Sequence, residues 1–123
     1  MKVLESGENY LETILVLNKK NNNETRAIDV CNALGFSKPT VSVMLKHLRE
    51  NGYVSVSDNG FLNLTEKGFE IANKVYERHT IIEGILIAIG VSYETAFKDA
   101  CKIEHYLSDE TIECLKDICE ESS

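Results

Sequence analysis

The stretch from Arg26 to Leu64 limits the fold more than any other part of the chain. Residues Arg26 to Leu34 place Ile28, Val30, Cys31 and Leu34 at helical spacing, and Gly35 follows where a helix ends on a left-handed glycine. Two residues later Ser37 is suited to cap a second helix, with Pro39 tolerated in its first turn. That helix runs to about Glu50, with Val41, Met44, Leu45 and Leu48 inward and Lys38, Thr40, Ser42, Lys46 and Arg49 outward. In "YVSVSDNGFLNLT", Val54 and Val56 alternate with Ser55 and Ser57, and Leu62 and Leu64 flank Asn63. Asn59-Gly60 between them is the preferred tight hairpin turn, both residues tolerating positive φ. Two helices across a glycine-containing turn, then a hairpin, make a winged helix-turn-helix.

The rest of the chain reads as helices. Ser6 is a candidate cap for a first helix from about Gly7 to Lys20, with Tyr10, Ile14 and Leu17 on one side. "KKNNNET" is a polar turn. Thr65 can cap a long helix to about Ile89, striped by Ile71, Val75, Ile82 and Ile85. Its "IIEGILIAIG" end is too apolar for an exposed helix on a lone monomer. Gly90 ends it, and Ser92 caps a helix to about Tyr106. Ser108 starts the last one, with Ile112, Leu115 and Ile118. The expectation is a mainly α chain: an N-terminal winged helix-turn-helix over residues 1–65 and a C-terminal helical domain over 66–123.

Charge separates the two halves. The net charge is −7, but residues 1–60 hold seven Lys/Arg against seven Asp/Glu, so the later half carries all of the excess. A neutral half can carry a basic DNA-facing strip, and an acidic half suits cations. No apolar run is long enough for a membrane span, and "MKVLESGENY" has no signal-peptide core. The four cysteines, at 31, 101, 114 and 119, form no CxxC pair. The expected setting is the reducing cytoplasm.

Three clusters could carry chemistry: Cys101, Glu104 and His105 at i, i+3 and i+4; His79 with Glu83 one turn apart; and Asn9 with Glu12 on the first helix. Taken singly, each has an ordinary reading as a small core residue or a solvated charge. Together, imidazole, carboxylate and thiolate suit a divalent transition metal better than calcium or magnesium. A nucleophilic Cys–His pair is the rival enzyme reading, weakened by the lack of a Gly-rich oxyanion loop. A regulator answering thiol oxidation or an organic ligand is another alternative. The candidate DNA-binding residues are Arg26, Ser37, Lys38, Pro39, Thr40, Ser42, Lys46 and Arg49. Lys and Arg would hold phosphates, while Thr40 and the Pro39 ring could meet thymine methyls.

"SGENYLETIL", "LGFSKPTVSVMLKHLRENGYV", "LTEKG", "ERHTIIEGIL" and "DACKIEHYLSDE", in that order, resemble the diphtheria toxin repressor / manganese transport regulator family of metal-dependent repressors. The length is similar to the family's short two-domain form. The resemblance implies a non-enzymatic repressor, homodimeric through its C-terminal helices, that binds a palindromic double-stranded operator and controls metal-homeostasis genes. It implies metal ligands at Asn9, Glu12, His79, Cys101, Glu104 and His105, with Glu83 at an ancillary-site position. Asn9 and Phe97 depart from the family pattern, where the iron branch has Met and His. Cys101 matches the iron branch and Glu12 the manganese branch. The soft thiolate makes Fe(II) the expected corepressor and Mn(II) the alternative.

Overall fold

The computed structural model describes residues 5–121. The outermost residues of both expected domains therefore lie outside the described part. Six helices and two strands follow in the order α1 (Glu5–Lys20), α2 (Ala27–Leu34), α3 (Lys38–Glu50), β1 (Val54–Val56), β2 (Leu62–Leu64), α4 (Glu66–Ala88), α5 (Tyr93–Ile103) and α6 (Asp109–Glu121). Two compact units divide within α4, between Asn73 and Lys74.

The first unit is a winged helix. Tyr10, Leu11, Ile14 and Leu15 of α1, Val30 and Cys31 of α2, and Val41, Leu45 and Leu48 of α3 are buried. The turn between α2 and α3 follows from its residues. Gly35 takes φ 73°, and Ser37 Oγ accepts the Thr40 backbone N–H at 3.4 Å, leaving Pro39 where its missing N–H costs nothing. The antiparallel ladder pairs Val54 with Leu64, Ser55 with Asn63 and Val56 with Leu62. Strands of three residues are too short to stand alone. Neighbours hold them: Leu62 N–H donates to Thr25 O at 2.7 Å, and Asn18 Nδ2 donates to Leu62 O at 3.1 Å.

Four local expectations change. Ser6 does not cap α1, because the helix already includes Glu5. Ile28 is exposed rather than packed inward. Only Gly60 of the Asn59-Gly60 pair has positive φ, at 83°. Ser57 N–H reaches Phe61 O at 2.9 Å and Gly60 N–H reaches Ser57 O at 2.9 Å, so the wing closes on the three residues 58–60 instead of two. This is the hairpin in which a glycine after a regular turn absorbs the left-handed position. Finally, α5 stops at Ile103, and Glu104 to Tyr106 form a turn.

Thr65 anchors the start of α4 twice: its hydroxyl donates to Gly52 O at 2.6 Å and accepts Gly68 N–H at 3.1 Å. The helix is drawn so close to the chain entering β1 that a Cβ on Gly68 would stand 2.0 Å from Tyr53 O. In the second unit, Ile82, Ala100 and Ile112 form the core, flanked by Ile81, Leu86, Ile103 and Leu107. Ser92 caps α5 through Thr95 N–H, and Ser108 caps α6 through Thr111 N–H. Ile87, Ile89, Tyr93, Phe97, Tyr106 and Ile118 remain exposed, Ile89 by 73%. Among the described residues no helix is long and apolar enough to cross a membrane.

Gly68→Ala is expected to destabilise the first unit by about 1–3 kcal/mol, because backbone rather than a flexible side chain must yield. Urea unfolding followed by circular dichroism measures this, and an unchanged midpoint would contradict it.

Candidate metal centre and nucleic-acid interface

In the second unit α4 presents His79 and Glu83 one turn apart, and the end of α5 presents Cys101, Glu104 and His105. His79 Nδ1 is 3.0 Å from Glu104 Oε2 and 3.8 Å from Cys101 Sγ, while its Nε2 is 2.9 Å from Glu83 Oε2. Glu104 is only 1% exposed. Its Oε1 lies 3.4 Å from His105 Nε2 but has no hydrogen-bond partner. Phe97 sets its ring against the His79 imidazole in a T-shaped contact, centroids 5.0 Å apart, and Tyr93 stacks on Phe97. The structure thus groups five of the seven metal-ligand candidates. Asn9 and Glu12 are partly buried on α1 in the first unit.

The arrangement suits a divalent transition metal. A buried carboxylate oxygen without a donor needs a cation or a proton. The Glu104 Oε2 oxygen and the Cys101 sulfur lie together at His79 Nδ1, a mixed donor set of the borderline type.

Sequence reasoning passed over the residue that shapes this turn. Arg78, 9% exposed, donates from Nη1 to Glu104 O at 3.1 Å and Leu107 O at 2.6 Å, and from Nη2 to Asp109 Oδ1. It satisfies carbonyls released where α5 ends and fixes the backbone that carries Glu104 and His105. Its position beside His79, on the inward side of an amphipathic helix, was the available signal. Lys74 joins Asp109 Oδ1 at 3.1 Å. The Lys74 ammonium, followed by the Arg78 guanidinium, holds the Asp109 carboxyl below its ordinary value of 3.8.

In the first unit all eight DNA-facing candidates, Arg26, Ser37, Lys38, Pro39, Thr40, Ser42, Lys46 and Arg49, are exposed. Thr40 Oγ1 and Ser37 Oγ are hydrogen-bonded at 2.9 Å, and Lys46 pairs loosely with Glu50 at 3.9 Å. Arg26 is committed locally: Nη1 donates to Asn59 O at 2.6 Å and the guanidinium lies 4.6 Å over the Phe61 ring. Val43, which the sequence reading did not single out, is 58% exposed on the outer side of α3. Its place off the Val41–Leu45–Leu48 stripe could have shown this.

A winged helix joined in one chain to a helical unit with an N/O/S cluster defines a metal-responsive DNA-binding regulator. The family profiles agree: "iron dependent repressor, N-terminal DNA binding domain" matches residues 2–61, and "iron dependent repressor, metal binding and dimerisation domain" matches residues 65–122. The chain belongs to this family of metal-dependent transcriptional repressors, which are regulators and not enzymes. It is 38% identical over 113 residues to an uncharacterised helix-turn-helix transcriptional regulator of Methanocaldococcus jannaschii, covering 91% of this chain and 90% of that one. It is 39% identical over 93 residues to the Escherichia coli transcriptional regulator MntR, covering 76% of this chain but 60% of MntR. The solved structure of the manganese regulator SloR superposes with a TM-score of 0.81 at 25% identity, over 93% of this chain and 53% of SloR.

Arg78→Ala should cost about 1.5–3 kcal/mol, because it strips a charged donor from buried carbonyls. Equilibrium unfolding of the metal-free protein reads this, and a loss below a few tenths would refute it. The Asp109 link stabilises the folded state fully above the ordinary carboxyl value and is lost as pH falls through the lowered folded value. The unfolding midpoints of wild type and Asp109→Asn should therefore converge on acidification from neutral pH. A difference independent of pH would count against the link.

Proposed function

We propose that the chain acts as a homodimer that binds a palindromic operator when a divalent transition metal occupies the second unit. The observation that carries this reading is the buried Glu104 carboxylate, whose Oε2 lies 3.0 Å from His79 Nδ1 and whose Oε1 has no hydrogen-bond partner, in a chain with an exposed recognition helix. His79, Cys101, Glu104 and His105 would hold the metal. Glu12 on α1 would complete the donor set on the strength of the sequence resemblance, with Asn9 as a weaker amide ligand. A bound divalent cation would supply the partner that Glu104 Oε1 lacks. Ile89, Tyr106 and Ile118, exposed and apolar, support a second copy as the partner of this unit.

On DNA, Ser37 to Thr40 at the start of α3 approach base edges, and Lys46 and Arg49 hold phosphates. Pro39, Thr40 and the exposed Val43 offer apolar surface to thymine methyls. Repression is conditional only if metal is held more tightly in the DNA-competent state than in the incompetent one. A preference of ~100-fold corresponds to about 2.7 kcal/mol. The Cys101 thiolate favours Fe(II), and the carboxylates Glu12 and Glu104 keep Mn(II) as the alternative. A second reading, a regulator switched by thiol oxidation, draws on the same Cys101 lying 3.8 Å from His79.

Operator binding by fluorescence anisotropy should tighten with Fe(II) or Mn(II) in reduced protein and weaken with chelator. Equal affinity in both would defeat the corepressor reading, and a response to peroxide alone would favour the oxidation switch. His105→Ala should abolish the metal response while sedimentation still shows a dimer. Thr40→Ala should weaken operator binding without altering metal affinity.

A further inference from the structure

His79 is flanked by carboxylates on both ring nitrogens, and a neutral imidazole carries one N–H and one lone pair. Two neutral arrangements are open to it, and each leaves one lone pair facing a carboxylate oxygen, a contact that only a proton or a cation between them satisfies. With the hydrogen on Nδ1, it is donated to Glu104 and the Nε2 lone pair faces Glu83, beside the Phe97 ring, which offers no metal donor. With the hydrogen on Nε2, Glu83 accepts it at 2.9 Å and the Nδ1 lone pair points where Glu104 Oε2 and Cys101 Sγ lie, 3.0 and 3.8 Å away.

The second arrangement gathers the larger donor set. It leaves the Nδ1 lone pair, the Cys101 sulfur and the Glu104 Oε2 oxygen on the same side of the ring. It also uses Glu83 as its spacing allows: a carboxylate one turn along the same helix, needing no movement between elements to stay in place.

We infer that Glu83 is a positioning residue rather than a metal ligand: it accepts the Nε2–H of His79 and aims Nδ1 at the Glu104–Cys101 side. This deepens the metal reading and rests on it. It reassigns a residue that the sequence had grouped with the ligands. Carboxylates that orient a metal-bound histidine in this way raise its basicity and fix its ring, and losing one costs about 10–100-fold in affinity.

The test uses the full-length, reduced protein with histidine ring nitrogens labelled, in mildly alkaline buffer, and Zn(II) as a diamagnetic probe. Long-range proton–nitrogen spectra should show His79 protonated on Nε2 both with and without Zn(II), with Nδ1 the nitrogen that shifts on titration. Chelator competition should show Glu83→Ala weakening Zn(II) binding by about 10–100-fold. Glu83→Gln, which keeps an acceptor oxygen for Nε2–H, should recover most of that loss. A ligand role predicts the reverse: Nε2 shifts, and Gln loses as much as Ala because an amide is a poor substitute for a coordinating carboxylate. Either result overturns the inference. A wild-type protein that takes up no Zn(II) overturns the metal reading instead, and its tautomer then decides the Glu83 hydrogen bond by itself. If both variants melt early in chelator, the wild-type spectrum alone decides between the two tautomers.

Discussion

A carboxylate with no exposed side-chain surface is costly to keep charged, and Glu104 is the point at which the second unit meets that constraint. One oxygen lies 3.0 Å from His79 Nδ1, while the other has no hydrogen-bond partner. The surrounding architecture serves to hold this group. Ala100, fully buried one turn earlier, pins α5 to the core, and Arg78 grips the backbone where the helix unwinds. Removing the carboxylate would relieve the electrostatic cost and with it the reason for the arrangement. On the metal reading proposed above, a bound cation would give Glu104 Oε1 the partner it lacks.

The same constraint explains the length of α5. Had the helix continued through Tyr106, its last carbonyls would have run on into α6 without a donor. Instead it ends at Ile103, the next residues turn, and the guanidinium of Arg78 takes up the Glu104 and Leu107 carbonyls. Glu104 and His105, two of the proposed ligands, therefore sit on a turn whose backbone Arg78 holds.

Much of this was legible in the residues. Gly35, Ser37 and Pro39 act locally, through φ preference, a capping hydroxyl and a missing N–H, so the helix-turn-helix was readable without tertiary information. The i, i+4 relation of His79 and Glu83 follows from helical geometry alone. What escaped depends on partners distant in sequence. Arg78 falls on the inward stripe of α4, but the carbonyls and the carboxylate it serves, at residues 104, 107 and 109, are not readable locally. The three-residue wing loop is a competition between two closures that the same Asn-Gly pair permits, and the exposure of Ile28 depends on which neighbours pack beside α2. Arg26 looked like a free cation because nothing local reveals that Asn59 and Phe61 lie beside it.

That last contact has a mechanical consequence. Two strands of three residues would ordinarily flex independently of the helices they follow. Here a side chain at the entrance to α2 clasps the wing tip through a carbonyl and an aromatic face, much as a strut braces a cantilever. The contact ties the wing tip to the start of α2, the helix that precedes α3 across the Gly35 turn. On the proposed operator, the brace between wing and helices would therefore belong to each subunit by itself.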